Sequence, residues 1–355
     1  MRKRSAPPIP VAPAAALLGV GALLAASATA YGSSPGPAPA VARTIDVSTA
    51  AQLESALSAA EGGDTIRLAD GTYRGNFKAT TPAGAAERIT LAGSAKAVLR
   101  ASGGYGLHLN GASYWTVRGI TVTGGHKGIV TDAANGVVLD SVTVHGLDME
   151  GVHFRKSSKD GVIKNSRIHD TGRDGSGMGE GVYVGSAGGT GDKSDNVQIL
   201  HNTIGPGVGG ENIDIKEGTT GAKIIGNTFD GSGLTGAHYD DSWADIKGNK
   251  VLVENNTGKY TRNNGYETHS QQPGWGCGTI FRGNRSDLSG ASGPNRYGFH
   301  ITNHNASTCP VTISGDNKVT GGRGIATPGV PVGQAPERPR PGGPQTPQPQ
   351  PQPGR

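Results

Sequence analysis

An apolar residue followed three positions later by a second fixed residue recurs through the middle of the chain. The recurring pairs are Val117/Ile120, Val138/Ser141, Val162/Asn165, Ile199/Asn202, Ile224/Asn227, Val253/Asn256 and Phe281/Asn284. Successive pairs lie 21, 24, 37, 25, 29 and 28 residues apart, a spacing typical of single solenoid coils with loops inserted in some of them. Asparagine at the second position of most pairs predicts a ladder of stacked amides at one turn of each coil.

The repeat predicts an all-β fold, a parallel β-helix in which each coil buries its apolar residues by stacking on its neighbours. Sixty glycines and almost no helical periodicity exclude a helical bundle. An antiparallel sandwich is the alternative, but it requires hairpin turns at regular short spacing, which the chain lacks. One helix is expected as an N-terminal cap, beginning after Thr49, with Leu53, Leu57 and Ala60 on one face and Gly62 at its end.

The strand that follows each asparagine turn alternates between inward and outward residues. The inward pairs are Leu107/Leu109, Ile129/Thr131, Val152/Phe154, Val182/Val184, Ile213/Ile215, Ala244/Ile246, Tyr266/Thr268 and Phe299/Ile301. Between them lies the aspartate column: His108, Val130, His153, Tyr183, Asp214, Asp245, Glu267 and His300. After them comes the lysine column: Asn110, Asp132, Arg155, Gly185, Lys216, Lys247, His269 and Thr302.

The same charged pair therefore occurs on adjacent coils, as Asp214 with Lys216 and Asp245 with Lys247. Stacked coils set like charges about 5 Å apart, a repulsion that something should relieve. Alternating aspartate and lysine columns relieve part of it as a simple charge network. A cation on the aspartates, together with an anionic ligand on Arg155 and the two lysines, relieves the rest.

The acidic segment "HYDDSWAD" places Asp240 and Asp241 in the turn before Asp245, with Asp214 one coil below. Four carboxylates converging from two coils suit a hard cation such as Ca²⁺. Asp240 and Asp241 bonding only their own backbone is the alternative.

These columns suit an acidic polysaccharide. Removing the proton next to a uronate carboxylate requires positive charge to neutralise that carboxylate and a base to take the proton. Lys216 and Lys247 are candidates for both roles, and Arg155 is a further cation. The substrate-binding candidates are His153, Tyr183 and Glu267, and Tyr183 offers a ring for stacking on sugars. Hydrolysis stays open, because Asp214, Asp245 and Glu267 provide carboxylates for it.

The two ends of the chain differ from its body. Residues 1–30 have the basic start, apolar run and Ala-Thr-Ala site of a secretory signal, and 31–43 form a Pro-rich linker. The β-helix domain is expected over 44–327, followed by a disordered Pro/Gln-rich tail at 328–355. The net charge of +5 arises from the signal and the tail, so it carries no argument for nucleic-acid binding. We expect a secreted, extracellular monomer with no membrane span after signal cleavage.

Cys277 and Cys309 are the two cysteines of the chain. Each lies four residues before the apolar residue that opens a coil, Phe281 and Ile313 respectively. Because equivalent positions on stacked strands are about 4.8 Å apart, a disulfide between them is expected, with two buried thiols as the alternative.

The segments "GDTIRLADGTYRG", "ERITLAGS" and "YWTVRGITVTGG" resemble the opening coils of pectin-lyase-fold proteins. The resemblance covers about residues 44–325 and is strongest to the secreted chondroitinase-B-like and alginate-lyase-like group. It implies a right-handed parallel β-helix and a polysaccharide lyase.

"NIDIKEG" with "HYDDSWAD" resembles the calcium region of the β-helical pectate lyases, which implies Asp214, Asp240, Asp241 and Asp245 as Ca²⁺ ligands. The spacing within this acidic group is one residue longer than in that family. The family places a catalytic lysine on the next coil, where this chain has Glu267 and His269.

The base is therefore open among Lys216, Lys247 and His269, with Lys247 favoured because the acidic segment lies on its own coil. In the chondroitinase-B-like group a lysine base works with an arginine one coil on, whereas Arg155 lies two coils below Lys216.

Three functions are thus compatible with the sequence. A lyase, a glycoside hydrolase and a non-catalytic wall-binding solenoid differ in whether they give an ultraviolet-absorbing product, reducing ends alone or neither. Pectate, alginate, glucuronan and chondroitin all present the required carboxylates.

Overall fold

In the computed structural model, the chain forms three parallel β-sheets. The structure describes residues 42–236 and 242–333. The first sheet has twelve strands: Thr44–Val47, Thr65–Leu68, Ile89–Ala92, Trp115–Arg118, Val138–Asp140, Val162–Lys164, Gln198–Leu200, Lys223–Ile225, Leu252–Glu254, Ile280–Arg282, Thr312–Ser314 and Val332–Gly333. The second has ten: Phe77–Ala79, Tyr105–Asn110, Lys127–Asp132, Val152–Arg155, Val182–Val184, Ile213–Ile215, Ser242–Ile246, Asn264–Thr268, Tyr297–Ile301 and Gly324–Ala326.

The third sheet also has ten strands: Gly71–Arg74, Ala97–Arg100, Thr121–Thr123, Thr143–His145, Arg167–His169, Thr203–Ile204, Thr228–Asp230, Thr257–Lys259, Arg285–Leu288 and Lys318–Gly321. Most coils contribute one short strand to each sheet, and each strand pairs in parallel with its equivalent one coil away. The predicted right-handed parallel β-helix is confirmed, since in all three sheets the strands of successive coils follow one another in the same order.

The helix Ala50–Ala59 precedes the stacked coils and confirms the predicted cap. Thr49 accepts a hydrogen bond from the backbone N–H of Gln52, whose side chain returns a bond to the Thr49 backbone. This reciprocal capping satisfies two N–H groups that a helix start otherwise leaves unbonded. Leu53 and Leu57 are fully buried and join the apolar core, so the helix closes the first coil.

The register of the second sheet is the one that the alternation predicts. Ile213 pairs with Val182 on one side and with Ala244 on the other, and Asp214 with Tyr183 and Asp245. Ile213, Ile215, Ala244 and Ile246 are all buried in the core. The aspartate column therefore faces away from the core, as expected from a period of two.

The asparagine ladder is present, but it begins one coil later than predicted. Asn202, Asn227, Asn256, Asn284 and Asn317 are linked by side-chain amide bonds of 2.9–3.0 Å. The prediction that Asn165 belongs to the ladder is wrong. Ile163, and not Val162, aligns with Ile199, so Ser166 occupies the ladder position. Ser166 still takes part, since its backbone N–H donates to Asn202 Oδ1 at 2.9 Å.

Cys277 and Cys309 form the predicted disulfide, with Cα atoms 4.7 Å apart. Among the described residues, no helical segment has the length and apolar character needed to span a membrane. The expected signal peptide, nearly all of the linker, and the tail beyond residue 333 lie outside the described residues, so those assignments stay predictions.

Candidate functional site

The outward face of the second sheet brings most of the predicted site residues together. Asp214, Asp245 and Lys247 expose 1%, 4% and 6% of their surface, so this charged group is far less open than the column pattern indicates. Ion pairing explains the burial, because each charge is covered by a partner of opposite sign.

Lys247 is the centre of this group. Its ammonium lies 2.9 Å from Asp214 Oδ1 and also contacts Asp245 Oδ2. Burial opposes its charge, but Asp214 and Asp245 outweigh burial and raise the pKa of Lys247 well above its ordinary value. Burial raises the pKa of Asp245, but the positive charges of Lys247 and His269 have the larger effect and hold that pKa below its usual range. Lys247 is thus a fixed ammonium and joins two coils.

His269 is the second cation of the site. Its Nδ1 lies 3.1 Å from Asp245 Oδ1 and 3.4 Å from Glu267 Oε1. Burial lowers the pKa of His269, but its close contacts with the carboxylates of Asp245 and Glu267 have the larger effect and raise the pKa to about 10. Glu267 Oε2 also lies 3.1 Å from His300 Nδ1, and these two histidines lower the pKa of Glu267 to about 2 against the effect of burial. His269 is therefore an imidazolium at neutral pH and is partly exposed.

Lys216 and Tyr183 form a separate pair one coil below Lys247. Lys216 Nζ is 2.5 Å from Asp214 Oδ2 and lies over the Tyr183 ring at 5.2 Å from its centroid. The Lys216 side chain is 16% exposed, more than twice the 7% of Lys247. Burial, followed by the charges of Asp214 and Glu180, raises the pKa of Tyr183, so its hydroxyl keeps its proton.

His153 packs beside Tyr183, on the neighbouring strand of the second sheet. The two rings are 4.2 Å apart, and His153 Nε2 donates to the backbone oxygen of Gly185 at 2.8 Å. Burial and then the charge of Lys127 lower the pKa of His153 to about 3, so the ring is neutral. His153 is only 4% exposed, so it is less open to a ligand than the register predicts.

Arg155 forms hydrogen bonds with residues outside this charged group, Asp132 and Tyr105. Its Nε donates to Asp132 Oδ1 at 2.5 Å, and a terminal nitrogen donates to the Tyr105 hydroxyl at 3.0 Å. The structure does not bring Arg155 to Lys216.

A third column, the glutamate column, was not identified from the sequence. It consists of Glu150, Glu180 and Glu211, each two residues before the first inward residue of its strand. The signal was present as "EGVHF", "EGVYV" and "ENIDI" on three successive coils. All three residues are buried, and Lys127 pairs with Glu150 at 2.8 Å.

Glu180, Glu211 and Asp214 are close enough to hold a metal ion, each offering an oxygen within 4.8 Å of the others. Burial, then the charges of Asp214 and Glu150, raises the pKa of Glu180 to about 8. Burial and Asp214 likewise raise the pKa of Glu211 well above its ordinary value. Glu180 Oε2 is buried without a hydrogen-bond partner. Oxygen donors of this kind fit a hard dication.

This group differs from the ligand set expected from sequence. It includes Asp214, whereas Asp245 contacts Lys247 and His269, and Asp240 and Asp241 lie outside the described residues. In total the site offers fixed cations, a protonated phenol, a partly exposed lysine and buried carboxylates, a set suited to proton transfer on an anionic substrate.

Comparison with known proteins agrees with this architecture. Residues 105–242 match the family described as right handed beta helix region. The structure of pectate lyase Pel9A aligns with a TM-score of 0.54 over 79% of each chain at 13% identity. Tailspike protein 2 of bacteriophage CBA120 aligns with a TM-score of 0.52 over 78% of this chain and 44% of that one at 11% identity. At such identities these two matches show the fold alone.

A stronger match is the crystal structure of alginate lyase from Paenibacillus sp. str. FPU-7. It is 38% identical, with a TM-score of 0.71 over 82% of this chain and 98% of that chain. No curated protein sequence matches the chain. The chain therefore belongs to the same family of right-handed parallel β-helix proteins as that alginate lyase.

Proposed function

We propose that the protein is a secreted lyase that cleaves alginate, or a closely related uronate polymer, by β-elimination. The observation that carries the proposal is the pairing of Lys216 with Tyr183, two groups with complementary proton roles on the outward face of the second sheet. The 38% identity to an alginate lyase supports the choice of polymer.

The reaction needs one proton removed and one supplied. A base takes the proton from C5 of the uronate, the C5 electron pair forms the C4–C5 double bond, and the C4–O4 bond breaks. An acid gives a proton to the departing O4, which becomes the new end of the other fragment. A cation at the uronate carboxylate stabilises the charge that develops during proton removal.

The structure favours Lys216 as the base over the two other candidates. Lys247 and His269 hold their protons firmly, because adjacent carboxylates raise the pKa of each. Lys216 is the more exposed lysine and lies against Tyr183. The Tyr183 hydroxyl holds a proton because burial raises its pKa, and in our proposal contact with the substrate oxygen lets it donate that proton to O4. In our proposal His269, which is charged and partly exposed, binds the uronate carboxylate.

A divalent cation, Ca²⁺ in our proposal, would be held by Glu180, Glu211 and Asp214. The fit rests on the buried, unpartnered Oε2 of Glu180 and on the raised pKa values of both glutamates, which show carboxylates without enough counter-charge. When bound, such an ion supplies positive charge that offsets the carboxylate repulsion of an anionic polymer.

The test is cleavage of sodium alginate followed by absorbance of the unsaturated product. We expect wild-type activity, and a loss of turnover of about 10²-fold or more in Lys216→Gln and in Tyr183→Phe, with unchanged circular dichroism. Lys223→Gln, an exposed lysine on the first sheet, is the matched control and should keep wild-type rates. Near-wild-type turnover in both site variants would contradict the assignment.

Hydrolysis is the second candidate, and one observation favours it. Glu180, with a pKa of about 8, lies beside Glu211 and Asp214, which resembles the paired acid and carboxylate of a retaining glycosidase. New reducing ends without ultraviolet absorbance would establish hydrolysis in place of elimination.

A further inference from the structure

A pocket of about 400 Å³ opens immediately after His269, outside the group of charges described above. It is lined by the segment 270–275 and by Asn303, Thr308 and the disulfide between Cys277 and Cys309. This volume lies within the range of small-molecule binding sites. The pocket is continuous in sequence with the site, because Ser270 follows the predicted carboxylate-binding residue His269.

The wall of the pocket is fixed in place by its hydrogen bonds. Gln271 and Ser270 both donate to Glu217 Oε1, at 2.9 and 3.3 Å, and Glu217 is the residue after Lys216. Further bonds join Gly276 N to Lys247 O at 2.8 Å, Asn249 Nδ2 to Gly274 O at 3.0 Å and Asn303 Nδ2 to Gly276 O at 3.0 Å. The loop is thus anchored to both lysine-bearing coils, which makes it a preformed surface.

Trp275 lines the pocket, and Lys193 lies against Trp275. Lys193 Nζ lies over the Trp275 ring, 5.0 Å from its centroid. No carboxylate in the described part of the chain is within ion-pair distance of Lys193, so its ammonium has charge available for a ligand. An aromatic ring beside an unpaired ammonium suits a sugar ring that carries a carboxylate.

Gln271 and Gln272 complete the lining. Both are exposed at the rim of the pocket, and their side-chain amides donate and accept hydrogen bonds, as sugar hydroxyls require.

We propose that this pocket is an accessory subsite that binds one uronate residue of the polymer beyond the bond that is cleaved, with Lys193 on its carboxylate and Trp275 on its ring. The inference rests on the proposed function for the identity of the polymer. It assigns substrate binding to a segment, 270–275, that the charged columns do not include.

Trp275 is also a built-in reporter. The chain has three tryptophans, and Trp115 and Trp243 are fully buried in the core. Iodide quenching of fluorescence therefore reports Trp275. A saturated mannuronate hexamer, titrated into the Lys216→Gln variant so that it stays intact, should protect Trp275 from iodide. Cellohexaose, which has no carboxylate, should protect it far less.

Two substitutions separate the subsite from the surrounding structure. Lys193→Gln should weaken hexamer binding about tenfold, as expected for losing one charge-assisted contact. Lys318→Gln, an exposed lysine on the third sheet, is the matched control and should leave binding unchanged. With Lys216 intact, Lys193→Gln and Trp275→Ala should raise KM for the polymer while kcat stays within about twofold, since neither residue contacts the reacting atoms.

The outcomes distinguish the subsite from the proposed function. Alginate cleavage without protection of Trp275, or equal hexamer binding by Lys193→Gln and Lys318→Gln, would overturn the subsite and leave the lyase assignment. Absence of cleavage with clear protection of Trp275 would remove the lyase assignment and keep a uronate-binding pocket. Absence of both would overturn both.

Discussion

Lys216 and Lys247 have equivalent positions on adjacent coils, but their surroundings give them different roles. Lys247 is held between two carboxylates and is almost completely buried. Lys216 contacts a single carboxylate and an aromatic ring, and it retains access to solvent. The doubled Asp-x-Lys motif therefore yields one lysine enclosed by two carboxylates and one that is partly open to solvent.

The first prediction separates these roles by stability. Lys247→Met should lower the free energy of unfolding by about 3–5 kcal/mol, because it leaves Asp214 and Asp245 buried without their shared cation. Lys216→Met should cost about 1 kcal/mol or less, since its ion pair is partly exposed. Urea unfolding followed by circular dichroism measures both. Equal losses in the two variants would contradict the distinction.

The roles of individual residues were the feature of the site that was hardest to predict from the sequence. A period of two correctly placed Asp214, Asp245 and both lysines on the outward face. It could not show that Lys247 is buried, because burial depends on which neighbouring side chains approach. The preference for Lys247 as base rested on its acidic neighbours, yet those same carboxylates raise its pKa, so the role now proposed passes to Lys216.

Individual coils are linked by the asparagine ladder. Asn227 accepts bonds from the backbone and side chain of Asn202, and its amide donates to Ile199 O and Asn256 Oδ1, at 2.8–3.0 Å. One side chain thus satisfies buried polar groups of three coils. The sequence predicted this ladder well where each asparagine aligns with the next.

The alignment failed at Asn165 for a physical reason. Asn165 has a φ of +52°, a left-handed conformation that asparagine tolerates, and its side chain donates to Asp140 on the exterior. Asparagine is favoured both in such turns and in the ladder, so composition alone does not separate the two positions.

The second prediction tests the ladder. Asn227→Ala should lower the free energy of unfolding by about 2–4 kcal/mol, because it leaves buried donors and acceptors unbonded. Asn165→Gly is the control, since glycine accepts the left-handed conformation, and it should change stability by less than about 1 kcal/mol. Thermal unfolding by calorimetry compares them. A larger loss in the control would show that the ladder does not carry the coupling between coils.

On the scale of the whole molecule, the outward face of the second sheet carries more buried negative charge than its own cations balance. Lys127 pairs with Glu150, and Lys216 and Lys247 pair with Asp214 and Asp245. No ion pair within the described ranges reaches Glu180 or Glu211. A proton or a metal ion must supply the missing charge, and the two differ in how stability depends on pH.

The last prediction uses this difference. The pKa of Glu180 is about 8 in the fold and near 4.5 as an ordinary glutamate, so the folded protein binds more protons between these values. In EGTA, the contribution of Glu180 to stability should therefore fall as the pH rises from about 4.5 to about 8, and comparison with a Glu180 variant separates it from the opposite contribution of His153. Ca²⁺ replaces the lost proton, so its stabilisation should be largest near pH 8 and small at pH 5. At a concentration a hundredfold above Kd, the gain is about 2.7 kcal/mol.

Calorimetry at pH 5 and pH 8, with EGTA or CaCl₂, measures this linkage. Glu180→Gln should remove the Glu180 part of the decline with pH, while Glu211 keeps its own part, and should abolish most of the Ca²⁺ effect, because the amide stays neutral and is a weaker ligand. Glu54→Gln, on the exposed face of the capping helix, should behave as wild type. Stabilisation by Ca²⁺ that is the same size in Glu180→Gln would place the ion elsewhere. A decline with pH that Glu180→Gln removes, without any response to Ca²⁺, would instead assign the missing charge to a proton on Glu180.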